Sequence, residues 1–246
     1  ENNMEITSKN NDKVKQWVRY QEKKYRELDQ MFLVEGLHLI EEAHKAGLIE
    51  CLIMKKGFAS PYKEYSIYEV NDEIMKKISC SVSGSDIIAQ VHFPQNNKQL
   101  GNRIILLDDV QDPGNVGTMI RSALSFGFDQ VILSLGCADV YNEKVVRSTQ
   151  GAIFHLSILR QDLTRIIPLI KAEKTPVYAT DLKASKGLST IEKSNKVALV
   201  FGNEGNGIHR ELLNLCDQNI IIEMNQFESL NVAVAAGICM YHFRKD

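Results

Sequence analysis

The sequence predicts an α/β protein in two domains, one over 1–93 and a larger parallel-sheet domain over 103–246, joined by a linker at 94–102. Three observations carry this. Apolar runs of strand length alternate with stretches of helical period along most of the chain. In the second half, "RIILL", "QVILS" and "KVALVF" are continuously apolar, as strands buried on both faces of a parallel sheet must be. The alternation stops once, at the polar "PQNNKQLGN" (94–102) with Pro94 and Gly101, a composition that separates domains.

Before the linker, "DKVKQWVRYQEKKYRELDQM" (12–31) reads as one charged helix. A short apolar stretch, "MFLVEG", follows, and then a second helix, "LHLIEEAHKAG", which Gly47 ends as a C′ residue. "LIECLIM" and "YSIYEV" read as strands, and "NDEIMKKIS" opens on a capping Asn71 or Asp72 and continues as a helix. After the linker, strands are expected at 103–107, 130–134, 176–180, 196–201 and 219–223, and helices at about 116–126, 142–150, 163–173, 208–215 and 229–243. The last helix is apolar on nearly every side through Leu230, Val232, Val234, Ala235, Ile238, Met240 and Tyr241. Such a helix must be buried on several sides, one of them against a second subunit.

Composition narrows the function classes. A net charge of −2 argues against coating nucleic acid by bulk charge and leaves room for a local basic patch. The five cysteines stand apart, with no C-x-x-C pair and no His/Cys cluster, so a zinc site is not expected and the thiols read as reduced and intracellular. The first residues have no signal-like apolar core, and "SLNVAVAAGICMYHF" falls short of the roughly 20 residues that span a bilayer. A cytoplasmic protein is expected.

Ligands of open parallel sheets sit beyond the C-terminal strand ends, and three loops there hold unusual residues. In "LLDDVQDPGNVGTMIRSALSFGFDQVIL" (106–133), Pro113, Gly114 and Gly117 precede a helix, Asn115 falls where an N-cap would, and Arg121 stands beside the apolar stripe of Ile120, Ala123 and Leu124. In "VFGNEGNGI" (200–208), three glycines bring backbone N–H groups close to a ligand, but Glu204 among them would repel an anion. Glu204 is alternatively a capping or turn acid. In "IIIEMNQFESLNVAVAAG" (220–237), Ser229 caps the last helix with Asn231 at its start. No G-x-S-x-G elbow marks Ser229 as a hydrolase nucleophile, and neither glycine signature of a nucleotide-dependent oxidoreductase or kinase occurs. Together the loops bring Asn115, Arg121, Glu204, Ser229 and Asn231 to the ends of three parallel strands.

"DDVQDPGNVGTMIRSALSFGFDQVIL", "LVFGNEGNGI" and "ESLNVAVAAGI" resemble, in order and spacing, the three motifs of the SpoU (TrmH-type) RNA 2′-O-methyltransferases of the SPOUT superfamily. The N-terminal "ITSKNNDKVKQWVRYQEKKYRELDQMFLVEGLHLIEEAHKAG" resembles the small substrate-binding domain, related to a ribosomal-protein (L30e-like) fold, of members that act on ribosomal RNA. The resemblance implies a catalytic domain tied in a C-terminal trefoil knot, a homodimer, no metal, and S-adenosylmethionine as the cofactor. By position it implies cofactor contacts at Gly202, Ile222 and Leu230, with Thr180 and Met224 as neighbours. It places Arg121 at the active centre with Asn115, Glu204, Ser229 and Asn231 around it. An arginine is effectively never neutral in a protein. Arg121 is therefore expected to clamp the phosphate beside the target ribose and stabilise the developing alkoxide, with water as the proton acceptor. One departure is Glu223, where many relatives carry a proline that would stiffen the cofactor loop.

RNA contacts are expected from Lys13, Lys15, Arg19, Lys23, Lys24 and Arg26, cations interleaved with Trp17, Tyr20 and Tyr25, and from Arg147. The N-terminal domain points to 23S ribosomal RNA. Transfer RNA is the alternative substrate, and a catalytically silent RNA-binding member is the alternative function.

Overall fold

In the computed structural model, residues 3–226 and 229–246 are described; Phe227 and Glu228, in the third loop, lie outside them. The chain forms two compact units, one of residues up to Gln95 with Tyr141–Phe154 and one of Asn96–Val140 with His155–Asp246. The sequence-based division left 141–154 in the second domain.

The first unit contains β1 (Asn3–Ile6), α1 (Asp12–Arg19), α2 (Lys23–Asp29), β2 (Met31–Glu35), α3 (Leu37–Lys45), β3 (Ile49–Lys55), β4 (Ser66–Val70), α4 (Asp72–Ile78) and β5 (Ile87–His92). Its sheet runs β1-β4-β3-β5-β2, parallel over the first three strands and antiparallel where β5 meets β3 and β2. Asn71 is the cap of α4, accepting from the Ile74 N–H at 2.9 Å.

The single helix expected over 12–31 is two. Trp17 and Tyr20 are both drawn into the core, and short i→i−3 bonds at Tyr20, Gln21 and Glu22 turn the chain there. Helical period alone cannot distinguish that turn from continuation. Gln30, at φ 55°, ends α2 in the left-handed region and turns the chain into β2. The Trp17 indole N–H donates to Gln90 Oε1 at 2.9 Å, which satisfies a polar residue buried inside β5.

The second unit begins β6 (Arg103–Leu107), α5 (Pro113–Ser125), β7 (Gln130–Leu133); α6 (Glu143–Thr149) follows in the first unit. It continues with β8 (Ser157–Arg160), α7 (Leu163–Ala172), β9 (Val177–Thr180), β10 (Lys186–Gly187), β11 (Val197–Phe201), α8 (Arg210–Leu215), β12 (Gln218–Ile221) and α9 (Val232–His242). All seven strands are parallel, in the order β10-β12-β9-β11-β6-β7-β8. Ile104, Leu106, Ala198 and Val200 fill the core between the sheet and α7 and α8.

The mixed α/β class and the parallel second sheet are as expected from the sequence. β1, β5, β8 and β10 were not. β1, β8 and β10 are sheet edges of two to four residues, too short to carry a period. Among the described residues, no helix is long and apolar enough to cross a membrane. In α9, Ala233, Ala236, Cys239 and Met240 are buried, and Val234, Ile238 and Tyr241 are 51%, 39% and 56% exposed. Its apolar residues encircle the helix, yet this chain covers only one side.

Candidate active site

β6, β9, β11 and β12 are parallel neighbours, so their C-terminal ends open on one edge of the sheet. At the end of β6 the Asp108 N–H still donates to the Phe201 carbonyl, 2.8 Å away on β11. The buried Asp108 carboxylate accepts from the His209 N–H at 2.8 Å and lies 2.9 Å from His209 Nδ1. That bond, then the carboxylate's charge, raises the pKa of His209. The loop after β6 is thereby tied to the start of α8.

The first loop then turns into α5, whose cap differs from expectation. Asp112, not Asn115, is the N-cap: its Oδ2 accepts from the Asn115 N–H at 2.8 Å, and Pro113 occupies the first turn, where no amide donor is needed. Asn115 is thus inside the helix with its side chain available. Its Nδ2 donates to Glu204 Oε1 at 3.4 Å, and its Oδ1 accepts from Asn231 Nδ2 at 3.2 Å. Asn231 caps α9 through bonds from the Ala233 and Val234 N–H groups at 2.9 and 3.2 Å. Ser229, expected as that cap, lies before it and is exposed. Glu204 also accepts from the backbone N–H of Asp112 at 2.9 Å and of Gln111 at 3.3 Å. Burial pushes the Glu204 carboxyl up, but the Asp112, Glu204 and Gln111 amides and Asn115 outweigh it and hold its pKa below the usual value. Three loops distant in sequence are thus joined by one chain of side chains, Glu204–Asn115–Asn231.

The second loop folds back on itself. Asn203 and Gly207 exchange two backbone bonds of 3.0 Å, and Gly207 is at φ 69°. A Cβ on Gly202 would sit 2.2 Å from the Gly207 carbonyl carbon and 2.4 Å from the Ile208 nitrogen, so only glycine fits. Asn203 pins the turn: its Oδ1 accepts from the Gly205 and Asn206 N–H groups, and its Nδ2 donates to the Asp109 carbonyl at 2.8 Å. Sequence reasoning passed over Asn203, although an asparagine opening a glycine-rich run is a turn signal.

Between the end of β9 and the second and third loops lies a cavity of about 770 Å³, which Asn115 of the first loop does not line. Thr180, Gly202, Ile222, Met224 and Leu230 all line it, as do Glu204, Ser229 and Asn231. Asp181, Lys183 and Arg210 add charges the sequence reading did not single out. Asp181 and Lys183 follow β9 on the same edge, and the strand-end rule would have found them. Glu223 lies between Ile222 and Met224, and its Oε1 accepts from the Ser189 N–H at 3.0 Å and from Ser189 Oγ at 2.5 Å. The Ser189 hydroxyl, then backbone donors, hold the Glu223 carboxyl below its usual pKa.

Arg121 does not join this cluster. About 120° round α5 from Asn115 by helical geometry, it is exposed and does not line the cavity. Among the described residues its guanidinium has no hydrogen bond or ion pair.

In the first unit, Lys15, Arg19, Lys23 and Lys24 are exposed and Lys13 is half-buried. Arg26 is a correction. It is buried and donates from Nη1 to the Tyr20 carbonyl at 2.7 Å, so it presents no charge to a phosphate. Trp17 and Tyr20 are core residues for the same reason, since their rings fill the space beneath α1. Arg147 is exposed and pairs with Glu143 at 3.1 Å.

Comparison with known proteins agrees with this geometry. Residues 102–241 match the SpoU rRNA Methylase family, and residues 11–89 match the MRM3-like substrate binding domain. The chain is 39% identical to the 23S rRNA (guanosine(2553)-2′-O)-methyltransferase RlmP of Bacillus subtilis (strain 168), over 98% of this chain and 99% of that protein. It is similar to the crystal structure of AdoMet-bound rRNA methyltransferase from Sinorhizobium meliloti, with a TM-score of 0.86, 29% identity, and coverage of 98% of this chain and 97% of that one. A crystal structure of an RNA 2′-O ribose methyltransferase superposes with a TM-score of 0.84 at 28% identity, covering 97% of each chain. With its three loops bonded into one site and both of its regions matched, the chain belongs to the SpoU rRNA methylase family.

Proposed function

We propose that this protein transfers a methyl group from S-adenosylmethionine to a ribose 2′-hydroxyl of 23S ribosomal RNA. The observation that carries this is the Glu204–Asn115–Asn231 chain, which ties the first loop to the second and third loops, the two that line one cavity. The cavity's volume suits a small cofactor, and its lining, Glu204 and Asp181 against Lys183 and Arg210, suits a ligand bearing charges of both signs. Gly202, Ile222 and Leu230 would hold the cofactor, with Thr180 and Met224 beside it. When bound, it supplies a methyl group already activated on a sulfonium. The protein's tasks are then to orient the hydroxyl and let its proton leave. Asn115, Ser229 and Asn231 present amide and hydroxyl groups for the ribose, and Glu204, held ionised, fixes Asn115. Arg121 grips the neighbouring phosphate as a planar fork and lowers the energy of the developing alkoxide, and the proton passes to water.

Arg121 lies outside the cavity of its own chain, and α5 packs against α9, whose apolar side is exposed. Both facts support a homodimer in which α9 is covered by a second copy and Arg121 completes that copy's site. A trefoil knot is also part of this proposal. β12 lies between β9 and β10, so the 181–185 connection crosses the end of a strand laid down later in the chain. The chain would be knotted if it leaves Ile221 beneath that connection. Lys13, Lys15, Arg19, Lys23, Lys24 and Arg147 supply the RNA-facing charge, and a ribosomal substrate places the enzyme in the cytoplasm.

The test is S-adenosylmethionine titration by calorimetry, with mapping of 2′-O-methyl sites in total RNA from cells with and without the gene. Binding of the cofactor and loss of one 23S site are expected. Loss of a transfer-RNA site instead would reassign the substrate, and absence of cofactor binding would make the protein a silent binder. Arg121→Lys keeps the charge and loses the fork, and turnover should fall about 100-fold with cofactor affinity unchanged.

A further inference from the structure

We infer that the groove between α1 and α2 seats one unpaired nucleotide of the RNA, an inference that rests on the RNA-directed function above. The groove encloses about 400 Å³ and is lined by Asp12, Lys13, Gln16, Arg19, Tyr25, Leu28 and Asp29.

Its walls and floor differ in chemistry. One wall is apolar: the half-buried ring of Tyr25 and, beside it, Leu28, a large aliphatic left 78% exposed. The floor is polar and ordered. Gln16 and Asp29 line it, Gln16 Nε2 donating to Asp29 Oδ2 at 3.5 Å, and both are held from below by the buried Tyr20, whose Oη donates to Asp29 Oδ2 at 2.8 Å and accepts from Gln16 Nε2 at 3.1 Å. Burial, followed by the bond to Asp29, pushes the Tyr20 phenol above its usual pKa, so it remains a donor at any working pH. The rim carries Lys13, Arg19 and Lys24 together with the exposed Asp12, which lies 3.9 Å from Lys15. The Arg19 guanidinium lies 5.4 Å and the Lys24 ammonium 4.7 Å from the Tyr25 ring centroid, and the Lys13 ammonium lies 5.6 Å from that of Tyr68.

A flat apolar wall, a floor that can bond to a base edge and a rim that holds phosphate together fit a nucleotide whose base has left its stack. A paired base keeps its face covered and cannot enter. Asp29 would repel a phosphate placed on the floor. The backbone of the RNA is therefore held at the rim, with the base pointing in. Exposed cation–π contacts are worth only about 0.5–1 kcal/mol, so a base displaces an ammonium from the Tyr25 ring readily and the phosphate takes it up.

The experiment measures equilibrium binding of the full chain, without cofactor, to a labelled RNA hairpin and to a fully paired duplex of the same stem. Tyr25→Ala and Leu28→Glu should each weaken hairpin binding about tenfold, the scale of one lost base stack. Tyr25→Phe should stay within about twofold of wild type, because its ring stacks equally well. Duplex binding should be unchanged by Tyr25→Ala. Leu28 is too exposed for Leu28→Glu to disturb folding, so that variant stands even if Tyr25→Ala unfolds. Unchanged hairpin binding in Leu28→Glu, or an equal loss on the duplex in Tyr25→Ala, would overturn the inference. Calorimetry with S-adenosylmethionine on the same preparations separates the two proposals. Wild type that binds the cofactor while the hairpin results fail sinks only the groove, and wild type that ignores the cofactor sinks the methyltransferase function.

Discussion

Glu204 receives hydrogen bonds from the backbone of Asp112 and Gln111 and from the Asn115 side chain, and its pKa is held below the ordinary carboxylate value. A carboxylate with a depressed folded pKa contributes stability above its unfolded pKa of about 4.3 and loses it as pH falls through the folded value. Wild type should therefore melt above Glu204→Gln at neutral pH, and the gap should close in acid, below the ordinary carboxylate range. Calorimetric Tm values for both proteins across that range check this; a gap independent of pH would contradict the ionised role. Gly202 makes a purely steric prediction. An added methyl would meet the backbone of Gly207 and Ile208, which cannot swing aside. Gly202→Ala should lose about 1–3 kcal/mol of stability in denaturant melts and most of its cofactor affinity.

At the level of elements, short segments are braced by partners far along the chain. The strand end at Ile221 runs into a cavity-lining loop, and Glu223 ties that loop to Ser189, just after β10. A Cβ on Gly187 would fall 2.2 Å from Glu223 Oε1, so glycine at that position leaves the carboxylate its space. Where the resemblance leads one to expect proline, this chain has a carboxylate hydrogen-bonded to Ser189. Ser189→Ala should weaken S-adenosylmethionine binding several-fold in calorimetry and leave turnover at saturating cofactor nearly unchanged. A fall in turnover alone would mean that Glu223 acts on the chemistry and not on the loop.

At the scale of the whole molecule, the proposed homodimer would be built on the exposed side of α9. Val234 and Ile238 lie one helical turn apart, with Tyr241 next along the same exposed side. Burying each aliphatic side chain against a second copy contributes roughly 1.5–3 kcal/mol, and an aspartate there reverses the sign. Val234→Asp with Ile238→Asp should give a monomer in sedimentation velocity. Without a second copy to supply Arg121, RNA methylation should be lost while S-adenosylmethionine still binds. A monomer that methylates normally would refute the shared site.

By itself, the sequence determined the alternation of strands and helices, the parallel second sheet and the three loops at its edge, because burial on both faces and tight turns write local patterns of apolar runs and glycines. The five residues that the motif resemblance implies for the cofactor all line one cavity. Only the tertiary structure decided which polar groups meet. Asp112 caps α5 and leaves Asn115 free to reach Glu204 and Asn231, 89 and 116 positions away in the chain. Tertiary packing likewise took Trp17, Tyr20 and Arg26 into the core, left Tyr25 at the surface, and set Arg121 apart from its own cavity. Charge and period along a segment are local properties. Exposure and hydrogen-bond partnership are set by residues distant in the chain, which local pattern does not encode.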